Sequence, residues 1–304
     1  MSAYLFAHFT ETNKGDQEYI WFSVSKDGLH WTDLGGDEPI LKAKLGTKGI
    51  RDPFILYDEK LKKYFIIATD LLTTSGNWYN FSHKGSRSLF VWESEDLINW
   101  SEERLVEVGI KGAGCVWAPE AIFCKEKDAW FVFFASCVRE KGQLHHKQRI
   151  YGTFTKDFKE FSPTFKYIDA ETDVIDTNMV WDNGYYYRFS KDETNKVIRI
   201  EKAPDILNDN WETIPCDAFD NLSGLEGPEV YFIEDIQKWC LIADQYRDHL
   251  GYTPFLCDDL ALCNFKKLEA DEFDLGKRKK RHGGVIKITD EQYNKLVETF
   301  HVDE

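Results

Sequence analysis

Long apolar runs are missing from this 304-residue chain. No stretch of about 18 apolar residues occurs, so a helix that crosses a membrane is not expected. Helical periodicity is almost missing too. Only Asp290 to Phe300 (DEQYNKLVETF) repeats apolar residues at helical spacing, which argues against an all-α or α/β chain. Basic residues are in deficit: 38 Lys and Arg stand against 53 Asp and Glu, a net charge of −15. A nucleic-acid partner is therefore not expected, because phosphate binding wants a basic face. The run KRKKR (Lys277 to Arg281) reads as a solvated loop rather than a nuclear-type patch. The 7 cysteines are odd in number and include no CxxC pair, the pattern of free thiols in a reducing compartment. The opening MSAYLFAHFTETNKGD lacks the basic, apolar and small-residue regions of a signal peptide, so the expected location is cytoplasmic. P-loop, GxGxxG and Ser-His-Asp patterns are also missing, and no organic cofactor is expected.

What is abundant is aromatic. Trp, Tyr and Phe make up 15% of the chain, a bias that favours pleated, half-buried strands. Short apolar runs such as YLFAHF, KYFIIATD, AWFVFFAS and KWCLIAD alternate with turn residues. One element recurs five times, an Asp-containing turn followed by an aromatic: SKDGLHW, SEDLINW, TKDFKEF, PDILNDNW and DDLALCNF. The aromatics at 31, 100, 161, 211 and 265 are separated by 69, 61, 50 and 54 residues. That spacing leaves room for four strands per unit, as in propeller blades.

A second element precedes each of the later turns, a polar residue opening a short apolar strand: RDPFILY, APEAIF, IDTNMVW and LEGPEVYF. The N-terminus begins partway through this scheme, and the strand it lacks stands at the other end, in RHGGVIKI (Arg281 to Ile288). The pattern predicts an all-β fold: one five-bladed β-propeller domain over residues 1–304. Its last blade is closed by N-terminal strands plus a C-terminal strand, which removes free sheet edges. A β-sandwich with irregular strand lengths is the alternative.

In a propeller the innermost strands open at one rim of a central channel. Asp52, Glu120, Asp176, Glu226 and His282 then converge on one axis. Acids that converge raise one another's pKa values, which suits paired acid–base work. Two carboxyl groups flanking a bond are the general solution for glycoside hydrolysis.

RDPFI, WAPEA, IDTNMV and EGPEVYF, in that order and with a late RHGGVIKI, resemble glycoside hydrolase family 43. The resemblance covers nearly the whole chain and implies a five-bladed propeller that inverts the anomeric configuration. It implies Asp52 as general base, Glu226 as general acid and Asp176 as the carboxylate that orients the acid and tunes its pKa. Where the family usually has WAPD this chain has WAPE, so Glu120 departs from the family's pattern by one methylene. His282 matches a histidine that in many members helps to hold a central cation, often Ca2+; the alternative is a histidine hydrogen-bonded in the channel beside water.

Further candidates for substrate binding are Arg51, Trp78, Trp117, Glu120 and Arg188. Arg51 stands beside the candidate base and can depress its pKa. Arg188, in YYYRFSKDE, is placed at the pocket edge, to grip a hydroxyl pair or to pair with a channel acid. Trp117 opens WAPE and can wall the pocket; Trp78 lies in the insertion TTSGNWYNFSHKGSRS and can cover it. Either tryptophan could instead be packing.

The expected function is an inverting, exo-acting glycoside hydrolase. It would be an α-L-arabinofuranosidase that trims small oligosaccharides of plant cell-wall origin, such as xylan fragments. A β-xylosidase or exo-β-galactosidase is the alternative within this chemistry, and the partners expected are arabinose- or xylose-containing oligosaccharides. A retaining fructan-type glycosidase lacks its early motif here. A sugar-binding propeller without catalysis is the rival outside enzymes.

Overall fold

The computed structural model describes residues 2–10, 18–220 and 222–302. The Asp turns seen in the sequence are the joints of the fold. At Asp27 the side-chain Oδ1 accepts from the backbone N–H of Leu29 and His30, at 2.9 and 2.8 Å. Asp96 does the same for Ile98 and Asn99, and Asp157 for Lys159 and Glu160. Asp205 and Asp259 each take one such bond, from Leu207 and Ala261. A carboxylate that replaces a backbone acceptor fixes a tight turn wherever it occurs. Here each one joins the third strand of a sheet to a short fourth.

Among the described residues these joints organise five antiparallel sheets of four strands. The chain begins in the last of them, blade V, with β1 (Ser2–Phe9), β2 (Trp21–Ser25) and β3 (Trp31–Asp33). Blade I follows: β4 (Ile50–Asp58), β5 (Lys63–Asp70), β6 (Ser88–Ser94) and β7 (Arg104–Glu107), with helix α1 (Trp78–Lys84) inserted between β5 and β6. Blade II is β8 (Trp117–Cys124), β9 (Ala129–Val138), β10 (Lys147–Thr155) and β11 (Phe165–Ile168). Blade III is β12 (Val174–Asp182), β13 (Tyr185–Asp192), β14 (Val197–Ala203) and β15 (Glu212–Thr213), followed by the short α2 (Asp217–Asp220). Blade IV is β16 (Glu226–Ile233), β17 (Lys238–Gln245), β18 (Gly251–Cys257) and β19 (Lys266–Lys267). β20 (Arg281–Thr289) then returns to blade V as its innermost strand, and α3 (Asp290–Phe300) packs against β1 and β20. The architecture is a five-bladed β-propeller with a blade shared by both ends of the chain.

Blades pack face to face, so strands are buried on both sides and lose the usual alternation of polar and apolar residues. β1 and β2 are buried almost throughout. Aromatics fill the gaps between blades: Phe65 stacks on Phe158, and Phe6 meets Trp31 and Tyr252. All seven cysteines are buried free thiols.

Closure of blade V is specified by β1, whose register with β20 runs from Ser2 opposite Thr289 to Phe9 opposite Arg281. A buried polar network pins the start of β20. Lys280 Nζ lies 2.5 Å from Asp33 Oδ1, which also accepts from Ser23 Oγ at 2.7 Å. Both members of this ion pair are almost fully enclosed. Removing one partner would leave a buried charge uncompensated, at a cost of about 3–5 kcal/mol. The network fixes the residues that follow Lys280, and these enter the site.

Candidate active site

Every inner strand opens with the same irregularity, one residue more than its neighbour. The register slips between Arg51 and Phe54, Trp117 and Glu120, Ile175 and Thr177, and Glu226 and Glu229. In blade V the slip lies opposite His8 and Phe9. The extra residue takes a positive φ in four blades: Asp52 at 51°, Ala118 at 45°, Asp176 at 44° and Gly227 at 53°. His282 holds the corresponding place in blade V. A left-handed non-glycine residue costs about 1–3 kcal/mol, and such strain concentrates at functional sites. At Gly227 only glycine fits, since an added Cβ would stand 2.7 Å from the ring of His282.

A bulge turns two successive side chains toward the axis where a regular strand would turn one. The bulges thereby bring Arg51 and Asp52, Trp117, Asp176, Glu226, and Arg281 and His282 to one pocket of about 390 Å³ at the mouth of the channel. Asp52 sits between two holders: Thr69 Oγ1 donates to its Oδ2 at 2.8 Å, and His282 Nδ1 lies 3.5 Å from its Oδ1. Thr69 is itself fixed by accepting from the Ala118 N–H at 2.8 Å. Burial alone would raise the pKa of Asp52, but His282, Arg51 and Thr69 outweigh it and hold the carboxyl below its ordinary value. Arg51 stands over the Phe9 ring and pairs with buried Glu18 at 2.8 Å.

The other two acids are pushed apart. Burial, reinforced by the charges of Glu226 and Asp52, raises Asp176 to about 6 against the pull of His282 and Lys191. Its Oδ2 accepts from the Gly227 N–H at 3.1 Å. Burial also acts on Glu226, yet Lys191 and Arg281 prevail and lower it. Lys191 Nζ lies 2.9 Å from one oxygen of Glu226, and Arg281 Nη2 2.8 Å from the other. Arg281 is braced in turn by Asp244.

The sequence candidates divide by this geometry. Asp52, Asp176, Glu226, Arg51, Trp78, Trp117 and His282 meet in the pocket; Trp78 and Trp117 form one wall, edge to face, with ring centres 6.2 Å apart. Glu120 does not line it. It stands two residues past the bulge of its strand and so points to a deeper layer, with Asn178 and Glu229 at the matching positions of blades III and IV. Asn178 Nδ2 donates to Glu120 at 2.8 Å and to Glu229 at 2.7 Å, and Val285 N–H donates to Glu229 at 2.7 Å. Burial, only partly offset by His282 and Asn178, raises Glu120 to about 7. Burial and Glu120 raise Glu229 well above its usual value.

Arg188 is likewise displaced. It pairs with Glu201 at 2.7 Å and lies 4.1 Å over the Trp211 ring, in a separate cleft between blades II and III. The physical reason is register: Lys191, not Arg188, lies opposite Ile175 where β13 reaches the rim. Sequence reasoning missed Lys191 and Arg281. Counting three residues further along YYYRFSKDE to the strand end would have found the first.

His282 bears on the expected cation. Its Nδ1 faces Asp52 and its Nε2 faces Glu120 at 3.6 Å. Burial opposes the charged ring, but these carboxylates raise its pKa well above the ordinary value. Both ring nitrogens are thus turned to carboxylates, and neither is left directed at a cation. Among the described residues no three His, Cys, Asp or Glu side chains gather as a metal site. The set does not fit a calcium held through His282, and the imidazolium itself supplies the positive charge between the two acids.

Comparison with known proteins adds the following. Residues 1–294 match the model of a family-43-related group described as a probable glycosyl hydrolase domain. An α-L-arabinofuranosidase of Bifidobacterium longum subsp. longum is 29% identical over 233 residues, 68% of this chain and 22% of that protein. The chain thus spans about a fifth of the length of the relative it matches. Among solved structures, a putative exo-β-1,3-galactanase from Bifidobacterium bifidum s17 superposes with a TM-score of 0.58 at 13% identity, over 92% of this chain and 91% of that one. The catalytic domain of a Coprinopsis cinerea family-62 α-L-arabinofuranosidase gives 0.56 at 14%, over 82% and 77%. A thermostable family-43 glycoside hydrolase gives 0.53 at 19%, over 75% of each chain. At these identities the superpositions establish the fold alone.

Proposed function

Because the chain belongs to the family-43-related glycosyl hydrolases, we propose that it is an inverting, exo-acting α-L-arabinofuranosidase that acts on short oligosaccharides. One observation carries the chemistry. A single pocket holds a carboxyl group kept below its ordinary pKa, Asp52, and another raised to about 6, Asp176, which shares its surroundings with Glu226. Environments that push acids apart mark out acid and base roles.

In this reading Asp52, ionised and held by Thr69 and His282, takes a proton from the water that attacks the anomeric carbon. Glu226 delivers a proton to the departing glycosidic oxygen. In the resting pocket that proton sits on Asp176, because Lys191 and Arg281 both favour ionised Glu226. The reactive state carries that proton on Glu226 with Asp176 ionised beside it, and Glu226 passes it to the leaving oxygen, so one proton held by the two acids serves the step. Trp117, Trp78 and Arg51 frame the sugar. The closed floor at His282 and Glu120 supports removal of terminal residues rather than cleavage within a chain. The proposal places the reaction in a reducing compartment, where seven unpaired thiols persist.

The choice of arabinose rests on the B. longum relative and on the family-62 neighbour, each of which is called an α-L-arabinofuranosidase. A β-galactosidase is the second reading, favoured by the near full-length match to the putative galactanase. The test is a panel of aryl α-L-arabinofuranosides, β-D-xylosides and β-D-galactosides, with proton NMR of the first-formed anomer. Release of arabinose with inverted configuration is expected. Retention would refute the mechanism, and inactivity on the whole panel would refute the glycosidase reading.

A further inference from the structure

Glu120, Asn178 and Glu229 are buried beneath the pocket, so whatever is joined to a sugar held at the acids is taken to leave through the mouth. Of the side chains that line the pocket, Trp78 alone is exposed, at 59%. It begins helix α1. The next residue, Tyr79, is 62% exposed, in a protein whose aromatic residues are mostly packed between blades.

From Tyr79 the rings continue outward. Tyr79 stacks on His83 with centres 4.2 Å apart and planes within 17°. His83 meets His146, from the loop between β9 and β10, at 4.5 Å. Burial and the neighbouring His83 and Arg139 lower the pKa of His146, which favours its neutral ring. The result is a ridge of aromatic rings that begins beside Trp78 at the pocket wall.

The ridge is firmly mounted. Asn77 caps α1 through the N–H of Asn80 at 3.0 Å. Gly85 N–H bonds the Gly114 carbonyl at 2.7 Å. A Cβ on Gly85 would lie 2.2 Å from the Phe81 carbonyl oxygen, and one on Gly114 2.2 Å from that of Ser82. His83 is held by Ser82 Oγ at 2.7 Å and abuts the Cys137 sulfur at 4.0 Å. Rings locked in advance lose little entropy when they bind.

We propose that Trp78, Tyr79, His83 and His146 form a binding site for the leaving-group side of a neutral oligosaccharide, two or more sugar rings beyond the bond that is cut. The site rests on the glycosidase reading and gives that reading a substrate class: decorated oligomers rather than simple glycosides. Its occupant follows from continuity with the pocket and from chemistry. Aromatic faces carry negative quadrupole and attract the polarised C–H faces of sugar rings.

The experiment compares a methyl glycoside with a trisaccharide that ends in the same sugar and linkage. For the wild-type protein kcat/KM should be higher on the trisaccharide. Tyr79→Ala should reduce that preference about tenfold, mainly through KM, and Tyr79→Phe should restore it. An unchanged preference in Tyr79→Ala overturns the proposal. Calorimetry of the trisaccharide on Asp52→Asn protein, with and without Tyr79→Ala, reads the ridge independently of turnover. About tenfold weaker binding supports it, and equal binding overturns it. Inactivity on both substrates would instead count against the glycosidase reading. A concentration-dependent dimer abolished by Tyr79→Ala would assign the ridge to a second copy of the chain and overturn the sugar site.

Discussion

The channel holds acids in two layers, and the layers behave differently. Asp52, Asp176 and Glu226 face the pocket; Glu120 and Glu229 lie beneath it on strands of the same kind, only a few residues further along. The upper acids have strong polar partners of both signs, and their pKa values diverge. The lower acids share one amide, Asn178, and their pKa values both rise. Depth of burial, rather than residue type, separates acids that open on a ligand from acids enclosed beneath it. A bulge one residue long decides which layer a side chain joins.

The largest expected effect breaks the comparison from above. Asp52→Asn and Glu226→Gln should each lower kcat by about a hundred- to ten-thousandfold. Only the Glu226 variant should recover with activated leaving groups, which need little acid assistance. Equal recovery of both in steady-state kinetics would reverse the proposed roles.

The next effect tests how the upper layer is tuned. Activity needs Asp52 ionised and a proton on the Asp176–Glu226 pair. It should therefore fall as pH drops through the lowered value of Asp52, and again as pH rises through about 6. Lys191→Met removes a positive charge from beside both members of the pair. Their carboxyl groups should then hold protons to higher pH, moving the alkaline limb above about 6, with kcat/KM about tenfold lower. A pH–rate profile whose limb stays in place would remove Lys191 from this role.

The smallest effect comes from below. Glu229→Gln replaces a buried carboxyl whose pKa is raised well above its usual value by a neutral amide of the same shape. The variant should keep kcat/KM within about tenfold of the wild type. A loss as deep as that of Asp52→Asn would show that the two layers act as one catalytic unit.

Much of the fold was legible because its joints are written as residues. Asp27, Asp96 and Asp157 each replace a backbone acceptor in the same way, so their recurrence marks the blades. The shared blade followed from counting strands at both ends. The meeting of Asp52, Asp176, Glu226 and His282 followed from the openings of the inner strands. The bulge was not legible, since Ala118 and Asp176 take positive φ against their own preferences. Without it, Glu120 looks level with Asp52 although it lies a layer deeper. Arg188 was misplaced for a related reason: strand ends were judged from residue type, and the paired register puts Lys191 at the rim.

Blade V sets an order in time. Arg281 and His282 arrive on the last strand, and that strand pairs with the first. Asp52 can adopt its held, ionised form only after β20 has been made and has paired with β1. Closing so long a loop is slow relative to local pairing. Gain of activity during refolding should therefore trail the appearance of sheet structure, making turnover a clock for the final zipping of the ring.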